Sequence, residues 1–477
     1  AAFAADMTST SACSSCSSGV DSGCKGAMAC LSPPFGAGTD CTDAVATQAE
    51  LNSKVANSRT LHIANGLLIL TGTTQASMST GIPIEGITGL TINGHGFTIS
   101  SGGANRRIMH IGASSTVTIE DLVFSGAYVV SYKGAALYVI SSTVTLNRVT
   151  FTSCQCNSCN GGAIFAANGG NLVVTSSTFL GNTAPSGNGG AIFLVTGATL
   201  AVSSSVFESN SCTSSGGAVY VSGSITTLSF TSCTFDHNSN SNSYGGGIYF
   251  GSSSVATIDD CSFLGNSAGT SYGGGIYSES SSTLNVKKST FFDNLAAYGA
   301  GVCMSGSVTF TMSGTTIFSN TANNGGGGLF IQDSSVVTAT NCNISSNVVK
   351  NSGHGGGFYL SGSYIDLTLT SCYLINNAAY TTGNGGGVYS TSTLNFMTFK
   401  GCEFAGNTAA NGKDVYNGYV AVQSLCPDGS FNPGTGVLDC YLCTAAFAAD
   451  MTSTSACSSC SRVSSGCKGA VTCLSPS

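Results

Sequence analysis

Tryptophan is absent from this 477-residue sequence, proline occurs only 7 times, and charge is nearly as scarce, with 14 basic and 21 acidic residues. Ordinary globular chains carry about a quarter charged residues. Ser, Thr, Asn and Gly must therefore solvate this surface. The nine Lys and five Arg form no basic stripe and the net charge is −7, so nucleic acid is not an expected partner. Long apolar runs are lacking too. The most compact, around Gly66-Leu67-Leu68-Ile69-Leu70, is far too short to cross a bilayer, and no membrane insertion is expected of this segment. No signal peptide is visible and residue 1 is Ala, which reads as a chain processed or excised from a longer precursor. No cofactor and no metal are expected.

What the sequence does have is repetition. Gly161-Gly162-Ala163-Ile164-Phe165 returns at Gly189–Phe193, Gly216–Tyr220, Gly245–Tyr249, Gly273–Tyr277, Gly326–Phe330, Gly355–Tyr359 and Gly385–Tyr389. The aliphatic position steps from Leu137 to Val415 by 27, 28, 27, 29, 28, 26, 27, 29, 30 and 27 residues. A fixed period of this size is the mark of a solenoid. A second phrase, an aromatic or aliphatic residue three before an Asn, keeps step with the first. Its asparagines are Asn182, Asn210, Asn238, Asn266, Asn294, Asn320, Asn347, Asn377 and Asn407. Between the phrases lie stretches that alternate with period two, such as Ser142-Thr143-Val144-Thr145-Leu146, the signature of half-buried strands.

Several short strands per repeat with no helical pattern between them describe an all-β parallel β-helix of about 13 coils. Stacked aliphatic and Phe positions would fill its interior. The Gly pairs would allow positive φ or close approach of coils, and the asparagines would form a turn and stacking ladder that passes hydrogen bonds from coil to coil. Thr42 to Val55 carries a polar start and an apolar face of Val45, Leu51 and Val55, a cap helix expected to cover the first open edge. At the far end Gly412-Lys413-Asp414-Val415-Tyr416 is a degenerate, charged copy of the Gly phrase, as befits a terminal repeat. The expected domains are a Cys-rich segment at 1–41, the cap helix at 42–58, the β-helix at 59–420, a Cys-rich module at 421–444 and a second copy of the first segment at 445–477.

Over roughly residues 130 to 420, the Gly-Gly-Ala-Ile and Phe-x-x-Asn phrases resemble those of the polymorphic outer-membrane protein passengers. These are right-handed parallel β-helices of bacterial surface adhesins, with related extracellular repeat proteins in other organisms. The resemblance implies a right-handed β-helix with a secreted or surface role that is not enzymatic. No membrane-barrel segment follows here, unlike the bacterial pattern. Cys426-Pro427-Asp428-Gly429, followed by Cys440 and Cys443, resembles the modules of ephrin-receptor-like and growth-factor-like extracellular stalks.

Twenty-two cysteines point to an oxidising compartment. Cys13, Cys16, Cys24, Cys30 and Cys41 near the start, Cys426, Cys440 and Cys443, and then Cys457, Cys460, Cys467 and Cys473 are disulfide candidates. Zinc is disfavoured there because these segments lack His. Inside the repeats, Cys233 and Cys261, and likewise Cys342, Cys372 and Cys402, take the same place in adjacent coils. Cross-coil bridges and buried thiols are both open readings. Ala445 to Cys460 repeats Ala1 to Cys16 without a change. Three readings stay open: a tandem polyprotein cut once per long repeat, equivalent docking modules at the two ends, or duplication without consequence. The first two predict a linear, non-closing homopolymer, with the chain itself as partner.

Parallel β-helices include polysaccharide-cleaving enzymes, and Asp259-Asp260, Gly94-His95-Gly96 and Gly353-His354-Gly355 superficially resemble polygalacturonase motifs. The pattern then fails, because no Arg lies between Arg148 and Arg462 to hold an anionic sugar. Aligned Thr-x-Thr phrases are too few for an ice-binding array and read as outward strand residues. Tyr244, Tyr249, Tyr272 and Tyr277 near the Gly turns suit either glycan binding or packing. Asn343-Ile344-Ser345 is the one standard N-glycosylation sequon found, with Asn343 the candidate for a covalent glycan. The expected function is an extracellular structural rod that joins end to end into a filament, with a surface adhesin or glycan-binding rod as the alternative and an enzyme third.

Overall fold

The computed structural model describes residues 44–56, 59–63, 67–70, 81–195, 197–223, 227–380, 382–391, 395–417, 422–425, 430–431 and 441–442. The chain divides into two units, Ala1–Val206 and Phe207–Ser477. Both are parallel β-solenoids, and the whole comprises about 12 turns with one short helix near the N-terminus. The step between paired strands varies around the expected period, from 31 residues between Leu61 and Ile92 to 26 between Val286 and Met312.

One coil shows why this sequence winds as it does. Ile248–Phe250 forms the first face, Val255–Asp259 the second and Ser262–Leu264 the third, before the chain climbs to Ile276–Ser278. On the second face alternate residues point inward, so Ala256 and Ile258 are buried while Val255 lies in solvent. Residues one coil apart sit side by side in register: Ile258 against Val286, Phe263 against Phe291. Like therefore stacks on like. Phe207, Phe235, Phe263 and Phe291 form a column with ring centroids 4.6–4.7 Å apart and planes within 4° of parallel.

The corners between strands are sharp because single residues adopt left-handed backbone. Ser232, Asp260, Lys288 and Ser371 do so at the corner between the second and third faces, with φ of 46–54°. The Gly phrase combines two demands in successive residues. Gly245 has φ +70°, and a Cβ on Gly246 would lie 2.4 Å from the carbonyl oxygen of Gly274 in the next coil. Glycine is the one residue that meets both.

At the N-terminus, Ala44–Val45 pairs parallel with the strand Thr60–Ile63, and the helix spans Gln48–Lys54. The helix is thus shorter than the 42–58 expected. Val45 is fully buried as a strand residue, and a capping box between Thr47 and Glu50 starts the helix after it. At the other end, Val422–Leu425 pairs with Met397–Lys400, so the solenoid runs past residue 420 into what was expected to be the Cys-rich module. Within that module Ser430–Phe431 pairs antiparallel with Tyr441–Leu442. Residues 1–41 and 445–477 lie outside the described residues.

The asparagines are fully buried or nearly so. Asn266 donates through both its backbone N–H and its Nδ2 to Asn294 Oδ1, at 2.9 and 3.0 Å, and through Nδ2 to the carbonyl of Phe235 at 2.9 Å. Replacing Asn294 by Ala strips Asn266 of its acceptor and Phe263 of its donor. We expect Asn294→Ala to cost about 2–4 kcal/mol, read as a shift in the denaturation midpoint, whereas Glu403→Gln at an exposed position should stay within about 0.5 kcal/mol.

Candidate functional site

Three ladders of side chains account for most of the repeated polar and aromatic residues. The asparagine ladder in the second unit runs Asn210, Asn238, Asn266, Asn294, Asn320, Asn347, Asn377 and Asn407, each after Asn210 accepting at Oδ1 from the asparagine before it. It ends where Asn407 Nδ2 donates to Asp414 Oδ1 at 2.8 Å. The charged residue of the degenerate Gly phrase thus supplies the ladder's terminal acceptor. In the first unit Asn182 accepts from the N–H of Cys154 and donates to the carbonyl of Phe151, both at 3.0 Å.

A second ladder occupies the corner between the second and third faces, and it settles the reading of the internal cysteines. Ser177, Ser205, Cys233, Cys261, Ser289, Thr315, Cys342, Cys372 and Cys402 hold this position in their coils, and each donates to the carbonyl two residues earlier. Cys261 Sγ also accepts the N–H of Cys233, as Ser289 Oγ accepts that of Cys261. These cysteines stand in for serine. Cys261, Cys342, Cys372 and Cys402 are thiols rather than half-cystines, as are Cys154 and Cys303. Burial pushes the Cys154 thiol up to about 12 and that of Cys303 well above its ordinary value. The disulfide among the described residues is Cys156–Cys159, with Cα atoms 5.3 Å apart. Sequence reasoning overlooked it, although its Cys-x-x-Cys spacing matches the pairs picked out near the termini.

The third ladder is aromatic and outward of the first face. Tyr220, Tyr249 and Tyr277 stack at 4.6 and 5.4 Å with planes within 9° of parallel, and Tyr244 stacks on Tyr277 at 4.6 Å. Ring faces that cover one another are not available to sugars. Tyr249 and Tyr277 are buried, and the Tyr249 hydroxyl donates to Glu279 Oε2 at 2.7 Å. In the first unit cations cover the corresponding rings, Arg107 over Tyr138 at 4.6 Å and Lys133 over Phe165 at 4.8 Å. The tyrosines are packing residues of the turn.

One place breaks the pattern. Asn93 pairs with Glu120 and Thr98 with Val123, so five positions span a corner that three suffice to span in the next coil. The two extra residues fall within Gly94-His95-Gly96. His95 takes φ 49° and Gly96 φ +80°, which turns the His95 ring back onto His62 with Nε2 2.8 Å from Nδ1. Beside it Asp121 and Arg148 follow in successive coils. Arg148 Nε and Nη2 donate to the two Asp121 carboxylate oxygens at 2.6 and 2.7 Å. Glu120 Oε2 lies 3.9 Å from Arg148, and Glu120 Oε1 accepts from Asn93 Nδ2 at 2.9 Å. Together His95, Gly96, Asp121, Leu122, Val123, Arg148 and Thr150 line a depression of about 490 Å³. Burial, then the neighbouring His62, lowers the His95 pKa, while the hydrogen bond from Arg148 holds Asp121 below the ordinary carboxylate value.

A family model described as a right-handed β-helix region matches residues 79–246 and again 246–424. The chain belongs to the right-handed β-helix family. Among solved structures it is similar to tailspike protein 3 of bacteriophage CBA120, with 13% identity and a TM-score of 0.34, covering 84% of this chain and 60% of that one. The chain thus spans 60% of the tailspike's length. No curated protein matches it.

The remaining candidates in this right-handed β-helix fall apart spatially. Asp259 ends a second-face strand, and Asp260 sits at the corner where its Oδ2 accepts from Ser232. His354 accepts from the Asn384 N–H and stacks on Tyr389 at 4.3 Å, in the Gly turn. No acid–base pair is assembled from these three. Asn343 is exposed, but on the strand Asn343–Ser345 rather than at a turn. All twelve terminal disulfide candidates lie outside the described residues. Among the described residues no group of three or more His, Cys, Asp or Glu is placed to hold a metal ion, and no helix is long and apolar enough to cross a membrane. Sequence reasoning dismissed His95 with the polygalacturonase motif and passed over Glu120, Asp121 and Arg148. The missed signal was their one-coil offset, which aligns Gly94, Asp121 and Arg148.

Two outcomes test these assignments. Cys261→Ser should hold stability within about 1 kcal/mol while Cys261→Val, which leaves the Cys233 N–H without an acceptor, should cost about 1–3 kcal/mol in denaturant titration. Stability should also fall on acidification. His95, His110 and His354 are all held below the ordinary 6.5, chiefly by burial. As the pH drops through that value the unfolded chain binds protons that the folded chain refuses, so the stability present above it is progressively lost. Thermal midpoints measured from pH 7.5 downward should therefore decline below about 6.5.

Proposed function

We propose that the chain is a non-enzymatic structural protein of a cell surface or secreted matrix, whose β-helices join head to tail through their Cys-rich ends into a filament. The observation that carries this reading is the unchanged repetition of Ala1 to Cys16 at Ala445 to Cys460, on either side of the solenoid. Two copies of one segment flanking the solenoid in sequence give each chain two points of attachment, and contacts that do not close propagate. The use of side chains inside the repeat supports the structural part of the reading. Asparagine, serine, cysteine and tyrosine side chains of the repeat make contacts from coil to coil, as Asn266 to Asn294, Ser289 to Cys261, Cys261 to Cys233 and Tyr220 to Tyr249 do. A surface adhesin is the second reading, favoured by the polar depression at His95.

Electron micrographs of the full chain under oxidising conditions should show filaments with an axial repeat of one solenoid plus its joint, dissolved by a reducing agent. Monodisperse single-solenoid particles at all concentrations would overturn the assembly.

A further inference from the structure

In the second unit the outward surface of the second face changes character toward its C-terminal end. The first outward position of its strands runs Val255, Thr283, Thr309, Val336, Asp366 and Phe396, in register from coil to coil. Phe396, at the end of this file, is 68% exposed. Tyr364, 63% exposed, stands two residues before Asp366, and the N–H of Phe396 donates to the carbonyl of the intervening Ile365 at 2.8 Å. Val336, on the other side of Asp366, is 47% exposed. Apolar residues exposed singly are ordinary, whereas large ones gathered in one place mark a contact surface. Tyr364 also holds φ 64°, a left-handed backbone that bulky residues rarely adopt. We propose that this patch is the docking surface for the chain's own Cys-rich module, residues 426–444, which lies along the outside of the second face.

Connectivity selects that occupant. Val422–Leu425 pairs in parallel with Met397–Lys400, so the chain leaves the solenoid on the second face, on the strand next to that of Phe396. This strand runs away from Phe396, and the residues that follow it are Cys426-Pro427-Asp428-Gly429. Pro, Asp and Gly in this order carry the chemistry of a chain reversal. Phe396 is about 13 Å from the Lys400 end of its strand, a span that about four extended residues cover. A module that turns back after Leu425 therefore meets the patch at once.

Each side supplies what the other needs. Ser430–Phe431 pairs antiparallel with Tyr441–Leu442, and an isolated two-stranded hairpin is marginal in water without a surface to pack on. Residues 430–442 include Phe431, Val437, Leu438, Tyr441 and Leu442, all apolar or aromatic. The solenoid presents Phe396, Tyr364 and Val336 within their reach. A tethered partner also meets the patch at a high effective concentration, an advantage no separate molecule shares. The inference goes beyond end-to-end assembly and does not depend on it, but it fixes the direction in which the module leaves the solenoid.

The chain has no tryptophan, so Phe396→Trp in the full chain places a single fluorophore in the patch. Its emission should be blue-shifted from that of N-acetyltryptophanamide and its quenching by acrylamide severalfold weaker, and both should persist on dilution. Adding Phe431→Ser or Leu442→Ser should return both readings to solvent-exposed values. Val255→Trp, five coils earlier in the same file, should read as exposed with or without those changes. Circular dichroism checks folding of the solenoid, and if Phe396→Trp misfolds, Tyr364→Trp takes its place as reporter. A fluorophore that reads as exposed in the full chain, or shielding that survives both hairpin substitutions, overturns the proposal. So does shielding lost on dilution, which assigns the surface to a second copy of the chain.

Discussion

The hydrogen bond from one buried asparagine to the next is the constraint on which the rest of this solenoid depends. At each corner the backbone N–H of the asparagine is buried and turned away from its neighbouring strand, and the next coil's Oδ1 is its acceptor. Leaving such a group unpaired costs about 1–3 kcal/mol. In the second unit the asparagine accordingly recurs once per coil at the same corner, and the chain between recurrences brings each Oδ1 to 2.9–3.1 Å from the preceding N–H. That closure condition restricts everything else. Loops that lengthen do so away from the ladder, as the 30-residue step from Asn347 to Asn377 keeps bonds of 3.1 and 3.0 Å.

Close stacking then dictates the small residues. Gly274 faces the carbonyl of Ala300, where a Cβ would come within 2.4 Å, so the Gly pair is a consequence of coil spacing rather than of flexibility. The serine–cysteine corner obeys the same logic with a looser chemical requirement. Any small side chain that donates to the carbonyl two residues back and can accept from the preceding coil will serve, and sulfur does so at 3.3 Å where oxygen does at 2.7 Å. Cysteine count is for this reason a poor guide to cross-linking in the solenoid. Among the described residues Cys154, Cys261, Cys303, Cys342 and Cys372 are buried thiols rather than half-cystines.

The stacked fold was legible because each coil writes the same constraints again. Period, strand alternation, asparagine ladder and degenerate terminal phrase all come from residues that repeat, and repetition separates signal from chance. What was not legible had no repetition to announce it. The helix start depended on one local capping box at Thr47 and Glu50, set against a Val45 that the apolar pattern assigned to the helix and the first rung claimed instead. The tyrosines near the Gly turns were visible as a row, but whether rings present faces or edges is a matter of side-chain stacking that spacing does not encode. The His95 corner was hidden for a deeper reason: its parts come from three coils, and each part alone is an ordinary turn residue.

This suggests where to look for activity in a protein built by repetition. A residue that recurs in every coil answers a demand that every coil makes, and that demand is structural. Ligand recognition needs several different groups converging on one point, which a perfect repeat cannot supply because it offers the same group at every level. Convergence requires a break in register. In the first unit that break is the two-residue excess between Asn93 and Thr98, which carries His95 out of its own coil and onto His62, beside the charges of Asp121 and Arg148. The repeat supplies rigidity on either side. The exception gathers unlike side chains at one corner, and the backbone bears it because His95 and Gly96 take up positive φ while the strands above and below keep their pairing.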